Sequence, residues 1–140
     1  MKNIFIDNDI VLDLLTMRQP HYEAVAKVFT LAENGKIKLS VSPLTFANTN
    51  YILSKKLSAI RSREILGKLR MLVNILPITA KTIDMALTDA LFKDFEDAIQ
   101  YHTALQNRQD IILTRNLKDF KKSKLPVMTA SEYLSASENI

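Results

Sequence analysis

The stretch IFIDNDIVLDLL, residues 4–15, runs from an apolar strand into an apolar helix and carries three acids across the junction, Asp7, Asp9 and Asp13. Residues 2–6 read as a short buried strand and residues 10–15 as the helix that follows, with Asp9 as its N-cap. A carboxylate in an apolar setting needs donors or a counter-ion, so the junction is the first place to look for chemistry. Asp13, further along the helix, is expected to face solvent.

The alternation continues along the chain. Residues 21–33 form an amphipathic helix, with Val25, Val28, Phe29 and Ala32 at three- and four-residue steps, ended by Asn34-Gly35. Residues 37–41 alternate as a strand. Residues 43–55 are helical with Leu44, Ala47, Tyr51 and Ile52 inward, and residues 58–73 with Ile65, Leu66, Leu69 and Leu72 inward. Residues 75–78 are a strand weakened by Pro77. Residues 79–92 are helical, with a stripe of Ile83, Ala86, Leu87, Ala90 and Leu91. Residues 94–107 are helical with Ala98, Tyr101, His102 and Leu105 inward. Residues 110–113 and 126–128 are strands, and residues 130–134 a last helical turn. Strands alternating with helices give an α/β domain with a mainly parallel sheet. Residues 1–134 read as one domain and 135–140 as a flexible tail.

Composition narrows the function. A chain of 140 residues with 47% hydrophobic and 24% charged residues suits one globular domain. The absence of cysteine excludes disulfides and thiolate metal sites and fits a reducing cytoplasm. The acid at Asp7 interrupts any signal-like apolar region, and no apolar run nears the ~18 residues of a membrane span. Gly35 and Gly67 are the only glycines, too few for a phosphate-cradling glycine-rich loop. The net charge of +4 permits a nucleic-acid partner without requiring one. Met71, Met85 and Met128 read as core filler. His21 and His102 lack ligand spacing, and His102 reads as packed and hydrogen-bonded.

In a parallel α/β sheet, sites form beyond the carboxyl ends of the strands. Asp7 follows the first strand. Thr114, Arg115, Asn116 and Asp119 follow the strand IIL. Asp94 and Asp97 stand three apart at a helix start, and Asn48 lies in the helix after the second strand. Carboxylates brought together repel one another. With hard oxygen donors dominating, the matching counter-ion is Mg²⁺ or Mn²⁺. Near a phosphodiester such an ion lowers the pKa of a water and stabilises the leaving oxygen, so the implied chemistry is phosphate-ester hydrolysis. Helix capping accounts for Asp94 and Asp97 equally well at this level.

Three stretches together, IFIDNDIVLDLL, FEDAIQYHTAL and DIILTRNLKDF followed by LPVMTASEYL, resemble the PIN domain, and within it the small VapC-type ribonucleases that are the toxins of toxin–antitoxin pairs. The resemblance spans residues 3–134 in motif order and spacing. It implies a three-layer α/β/α fold around a sheet of four to five strands, with Asp7 and Asp97 as metal ligands. Asn48, Asn116 and Asp119 would hold water on the ion, Asp94 would add negative field, and Thr114 would orient Asp7 or a water. Asn48 and Asn116 stand where many relatives carry acids, which implies a weaker metal site. The resemblance further implies an RNA substrate, an antitoxin partner and a homodimer, with no membrane association. Lys118, Lys121, Lys122 and Lys124 lie beside the site, either as an RNA track or as a solvated loop. Arg61, Arg63, Lys68 and Arg70 read as a solvent face. Arg115, inside the last motif, is a candidate contact to substrate or to an antitoxin carboxylate.

Three alternatives start from the same residues. A haloacid-dehalogenase-type phosphatase would use Asp7 as a covalent nucleophile, but it needs an acidic pair where this chain has TRN. A receiver-like domain needs an aspartate after the third strand, where ILPITAKT has none. A PIN-like protein that binds RNA or a partner without cutting would suit the amides at Asn48 and Asn116.

Overall fold

Each strand of the chain feeds a helix that packs back on the sheet. A computed structural model describes residues 1–138. In chain order the elements are β1 (Lys2–Ile6), α1 (Asn8–Leu15), α2 (Tyr22–Glu33), β2 (Ile37–Val41), α3 (Pro43–Lys56), α4 (Ala59–Arg70), β3 (Asn74–Ile75), α5 (Ala80–Leu87), α6 (Phe95–Gln106), β4 (Ile111–Leu113), β5 (Val127–Met128) and α7 (Ala130–Glu138). A 3-10 turn, Leu117–Phe120, follows β4. The five strands are ordered β3-β2-β1-β4-β5 and pair in parallel throughout.

The pleat sorts the central strands into two layers. Ile4 and Ile6 of β1, Ile111 and Leu113 of β4 and Ile37, Leu39 and Val41 of β2 join one core, with Ile10, Val11, Val25, Val28, Phe29, Leu69 and Tyr133 from the helices on that face. Phe5 and Ile112 point the other way, into a second core with Ala86, Phe92, Ala98, Tyr101, Ala104 and Phe120. Both central strands are buried on both faces, which explains their unbroken apolar sequence. The architecture is the three-layer α/β/α arrangement expected, with five strands.

Several local expectations are corrected. The first helix starts at Asn8, and its N-cap is Asp7 rather than Asp9: the Asp7 carboxylate accepts from the Asn8 amide at 2.8 Å. The inward face of α3 is Thr45, Thr49 and Leu53, while Ala47 and Tyr51 are exposed. β3 is only Asn74–Ile75, an exposed edge strand that ends before Pro77. α5 stops at Leu87, so Leu87, Ala90 and Leu91 are exposed instead of forming a stripe. Met71 and Met85 are exposed, not core filler. α7 continues to Glu138, so residues 135–138 of the expected tail are helical, and residues 139–140 lie outside the described residues. No helix among the described residues is long and apolar enough to cross a membrane.

Candidate active site

The strand order reverses around β1: chain connections step from β1 to β2 to β3 on one side, then cross to β4 and β5 on the other. A crevice opens where neighbouring crossovers diverge, beyond the carboxyl ends of β1 and β4. Asp7 is the residue after β1 and Thr114 the residue after β4. The Asp7 amide donates to the Leu113 carbonyl at 3.0 Å, extending the β1–β4 ladder to the floor of the crevice.

Asp7 is buried and its two oxygens are divided. Oδ1 accepts from the Asn8 amide, and Oδ2 accepts from the Thr114 hydroxyl at 2.9 Å. The Thr114 hydroxyl also accepts from the Asn116 amide at 3.0 Å. It stands 3.4 Å from Asp9 Oδ2, and its single proton goes to the nearer Asp7. Thr114 thus donates to the Asp7 carboxylate from the end of the neighbouring strand.

α6 delivers the opposing acids. Asp94 is its N-cap and accepts from the Asp97 amide at 3.0 Å, so the capping role is real for Asp94. The Asp97 side chain is left for the cavity. Asp7, Asn8, Asp9, Leu12, Asn48, Tyr51, Ile52, Glu96, Asp97 and Asn116 line one opening of about 430 Å³. Asp7 and Asp97, ninety residues apart in the chain, therefore converge on one cavity. Asp97 also lines an adjoining opening of about 280 Å³ with Asp94, Asp119 and the lysines Lys93, Lys118, Lys121 and Lys122. Asp119, on the 3-10 turn, is exposed.

The cost of this convergence appears in the acidities. Burial, with the charge of Asp9, pushes the Asp7 carboxyl up to about 6, against the hydrogen bonds from Asn8, Thr114 and Gln100. Partial burial and the charges of Asp94, Asp7, Asp119 and Glu96 push Asp97 up to about 7. Burial also raises Asp9, opposed by the Arg115 amide and guanidinium. The acids repel one another across the space that would hold a cation.

Four residues here were not singled out by sequence or stand in unexpected roles. Glu96 accepts from Asn48 Nδ2 at 2.7 Å and from Asn8 Nδ2 at 2.9 Å, placing a charge beside the amide where many relatives have an acid. Asn8 accepts from the Thr45 hydroxyl and from Gln100 Nε2. Gln100, fully buried, accepts from the Ser42 hydroxyl and ties α6 to the start of α3. Asp13 does not face solvent: it is fully buried and holds Arg115 through Nε at 2.7 Å and Nη2 at 3.2 Å. The signal available for Gln100 and Glu96 was their place on α6, one turn apart and both beside Asp97.

The donor set fits a hard divalent ion. All the converging groups are oxygens or amides, and Asp9 Oδ1 is buried with no hydrogen-bond partner. No group of three or more His, Cys, Asp or Glu among the described residues forms a ready metal cluster. Two carboxylates with waters completing the shell is a usual arrangement for Mg²⁺. His102 lines neither opening; it is buried and pairs with Asp89 at 2.7 Å.

Comparison with known proteins places this geometry. Ribonuclease VapC1 of Aquifex aeolicus (strain VF5) is 27% identical, over 94% of this chain and 93% of that protein. Two solved structures share the fold: VapBC-1 from nontypeable Haemophilus influenzae (TM-score 0.71, 16% identity, 92% of this chain and 98% of that one) and a toxin–antitoxin complex from Klebsiella pneumoniae (TM-score 0.68, 24% identity, 91% and 97%). The PIN domain family model matches residues 3–118, which take in β1, α6, β4 and the converging acids, and the chain belongs to the PIN domain family.

Proposed function

We propose that this chain is a Mg²⁺- or Mn²⁺-dependent endoribonuclease, the toxin of a VapBC-like toxin–antitoxin pair. The observation that carries the proposal is the meeting of Asp7 and Asp97 in one cavity, both with raised pKa values. The named relative, a ribonuclease, supports the reaction class. Solved toxin–antitoxin complexes of the same fold support the antitoxin partner. We also propose a homodimer, as the family resemblance implies, and a cytoplasmic location, which suits a chain without cysteine.

Asp7 and Asp97 would hold the ion, and Asn116 and Asp9 line the same cavity and would bind water around it. A divalent cation bound there supplies a water of lowered pKa and offsets charge on the phosphate oxygens. The chain's own groups do the rest. Thr114 fixes Asp7. Asp94 caps α6 and so fixes the helix turn that carries Asp97. Lys93, Lys118, Lys121 and Lys122, on one flank of Asp97, can neutralise RNA backbone phosphates next to the scissile one. No side chain serves as a nucleophile.

A chain that binds without cutting was the alternative suggested by Asn48 and Asn116. Glu96, hydrogen-bonded to Asn48, brings to that side of the cavity the negative charge the amide lacks, which favours a working site. The test is cleavage of RNA by the purified, antitoxin-free chain. Cutting should stop with EDTA, return with Mg²⁺ or Mn²⁺, and be absent in Asp7→Ala. No cleavage by the wild type under those conditions would transfer the assignment to the binding protein.

A further inference from the structure

We infer that Arg115 and Asp13 form a positioning clamp for the catalytic turn after β4, and that Arg115 is not itself a contact to RNA. The inference rests on the nuclease assignment and adds a role for two residues beyond the metal-facing acids.

Asp9 and Asp13 stand one turn apart on α1, so both face the turn at residues 114–116. Asp9 Oδ2 accepts from the Arg115 backbone amide at 2.9 Å. Asp13 takes the guanidinium of the same residue in a two-point grip, at 2.7 and 3.2 Å. One residue is thus held at its main chain and at the end of its side chain by a single helix. The residues on either side of it are Thr114, whose hydroxyl donates to Asp7, and Asn116, whose backbone amide is bound to that hydroxyl and which lines the cavity.

The side chain of Arg115 reaches away from the cavity of Asp7 and Asp97. It lines a different opening, with Asp13, His21, Val25 and Thr129. Arg18 approaches the same Asp13 only at 4.0 Å and is itself half-exposed, so it cannot replace the grip. A fully buried carboxylate is kept only with a partner, and a two-point pair fixes direction as well as charge. The geometry therefore commits a fully buried carboxylate and a partly buried guanidinium to the orientation of one turn, and that turn carries Thr114 and Asn116.

The test separates positioning from folding by removing both charges together. Replacing a buried pair with apolar residues of similar volume leaves stability near neutral or higher, whereas removing one partner does not. The double variant Asp13→Leu/Arg115→Met should melt near wild type and cut RNA with kcat reduced ~10–100-fold at little-changed KM, the range for loss of a group that orients a metal ligand. Arg115→Lys, which keeps the charge but not the fork, should fold and show an intermediate kcat. Amide hydrogen exchange over residues 113–117 should quicken in the double variant, with β1 unaffected. A folded double variant with wild-type kcat and unchanged exchange would overturn the clamp. So would a raised KM at unchanged kcat, since that would make Arg115 a substrate contact. Should the double variant fail to fold, wild-type kcat in Arg115→Lys would overturn it. Wild type runs alongside: if it does not cut RNA with Mn²⁺, the nuclease assignment falls and takes the catalytic role of the clamp with it. If it cuts while the variants cut equally well, only the clamp fails.

Discussion

Asp97 carries the sharpest expectation at the level of single residues. Its carboxyl, and that of Asp7, sit above the ordinary 3.8, at about 7 and about 6. A carboxyl raised on folding binds its proton more tightly in the native state. Its stabilisation is therefore full below about pH 4 and is lost as pH rises through about 7. In the metal-free chain, Asp97→Asn should melt higher than wild type at about pH 8 and close to wild type at about pH 4, while abolishing cleavage. Thermal melts at the two pH values check this, and a variant that melts lower at high pH would mean that the Asp97 charge stabilises the fold. Single residues were also where the sequence was hardest to read. Asp13 was expected in solvent because its partner, Arg115, lies far along the chain, and no local pattern links them. The sequence points to Asp9 as the cap that Asp7 makes, because the residue directly after a strand can itself cap the helix that follows. Glu96 carries no spacing signal of its own, because it falls between Asp94 and Asp97, which stand three apart.

α6 is the element on which the site depends, because its first turn holds Glu96 and Asp97 and its cap is Asp94. Asp94 has two separable effects: its oxygen caps the helix, and its charge raises Asp97. Asp94→Ser keeps a capping oxygen and should retain most of the stability, whereas Asp94→Ala should lose about 1 kcal/mol in chemical denaturation. Equal losses in both would deny the capping role. On the buried side of the same helix, Gln100 bonds Ser42, Thr45 and Asn8. Gln100→Leu would leave the buried Ser42 hydroxyl without its acceptor and remove a donor from Asn8 and Thr45, and should destabilise the chain by roughly 1–3 kcal/mol, read from the denaturation midpoint. The polar seam also explains an error of expectation. Apolar periodicity places Ala47 and Tyr51 of α3 inward, but the helix turns Thr45 and Thr49 to the interior, where Thr45 meets Gln100. Buried polar residues carry no periodic hydrophobic signal, so the face was unreadable without the partner helix. Where the signal was apolar, as in α2 with Val25, Val28 and Phe29, the expectation held.

Over the whole molecule, the arrangement of layers was legible because β1 and β4 are apolar on both faces and the helices between strands are amphipathic. Chain order then placed Asp7 and Thr114 beyond neighbouring strand ends, and the PIN-like motifs singled out Asp7 and Asp97 together. The strand order, with its reversal at β1, was not legible, yet it is what makes a crevice of those ends. The same topology brings acids from β1, α6 and the turn after β4 into mutual repulsion, which is tolerable in a marginally stable domain only if something offsets it. A cation that binds the native state alone stabilises it by mass action. The most direct measurement is the melting temperature of the antitoxin-free, RNA-free chain at about pH 8, with and without excess Mn²⁺, for wild type and for Asp7→Asn/Asp97→Asn. Mn²⁺ should raise the wild-type melt clearly and leave the double variant unmoved. Equal shifts in both proteins, or none in the wild type, would contradict a cation held between Asp7 and Asp97.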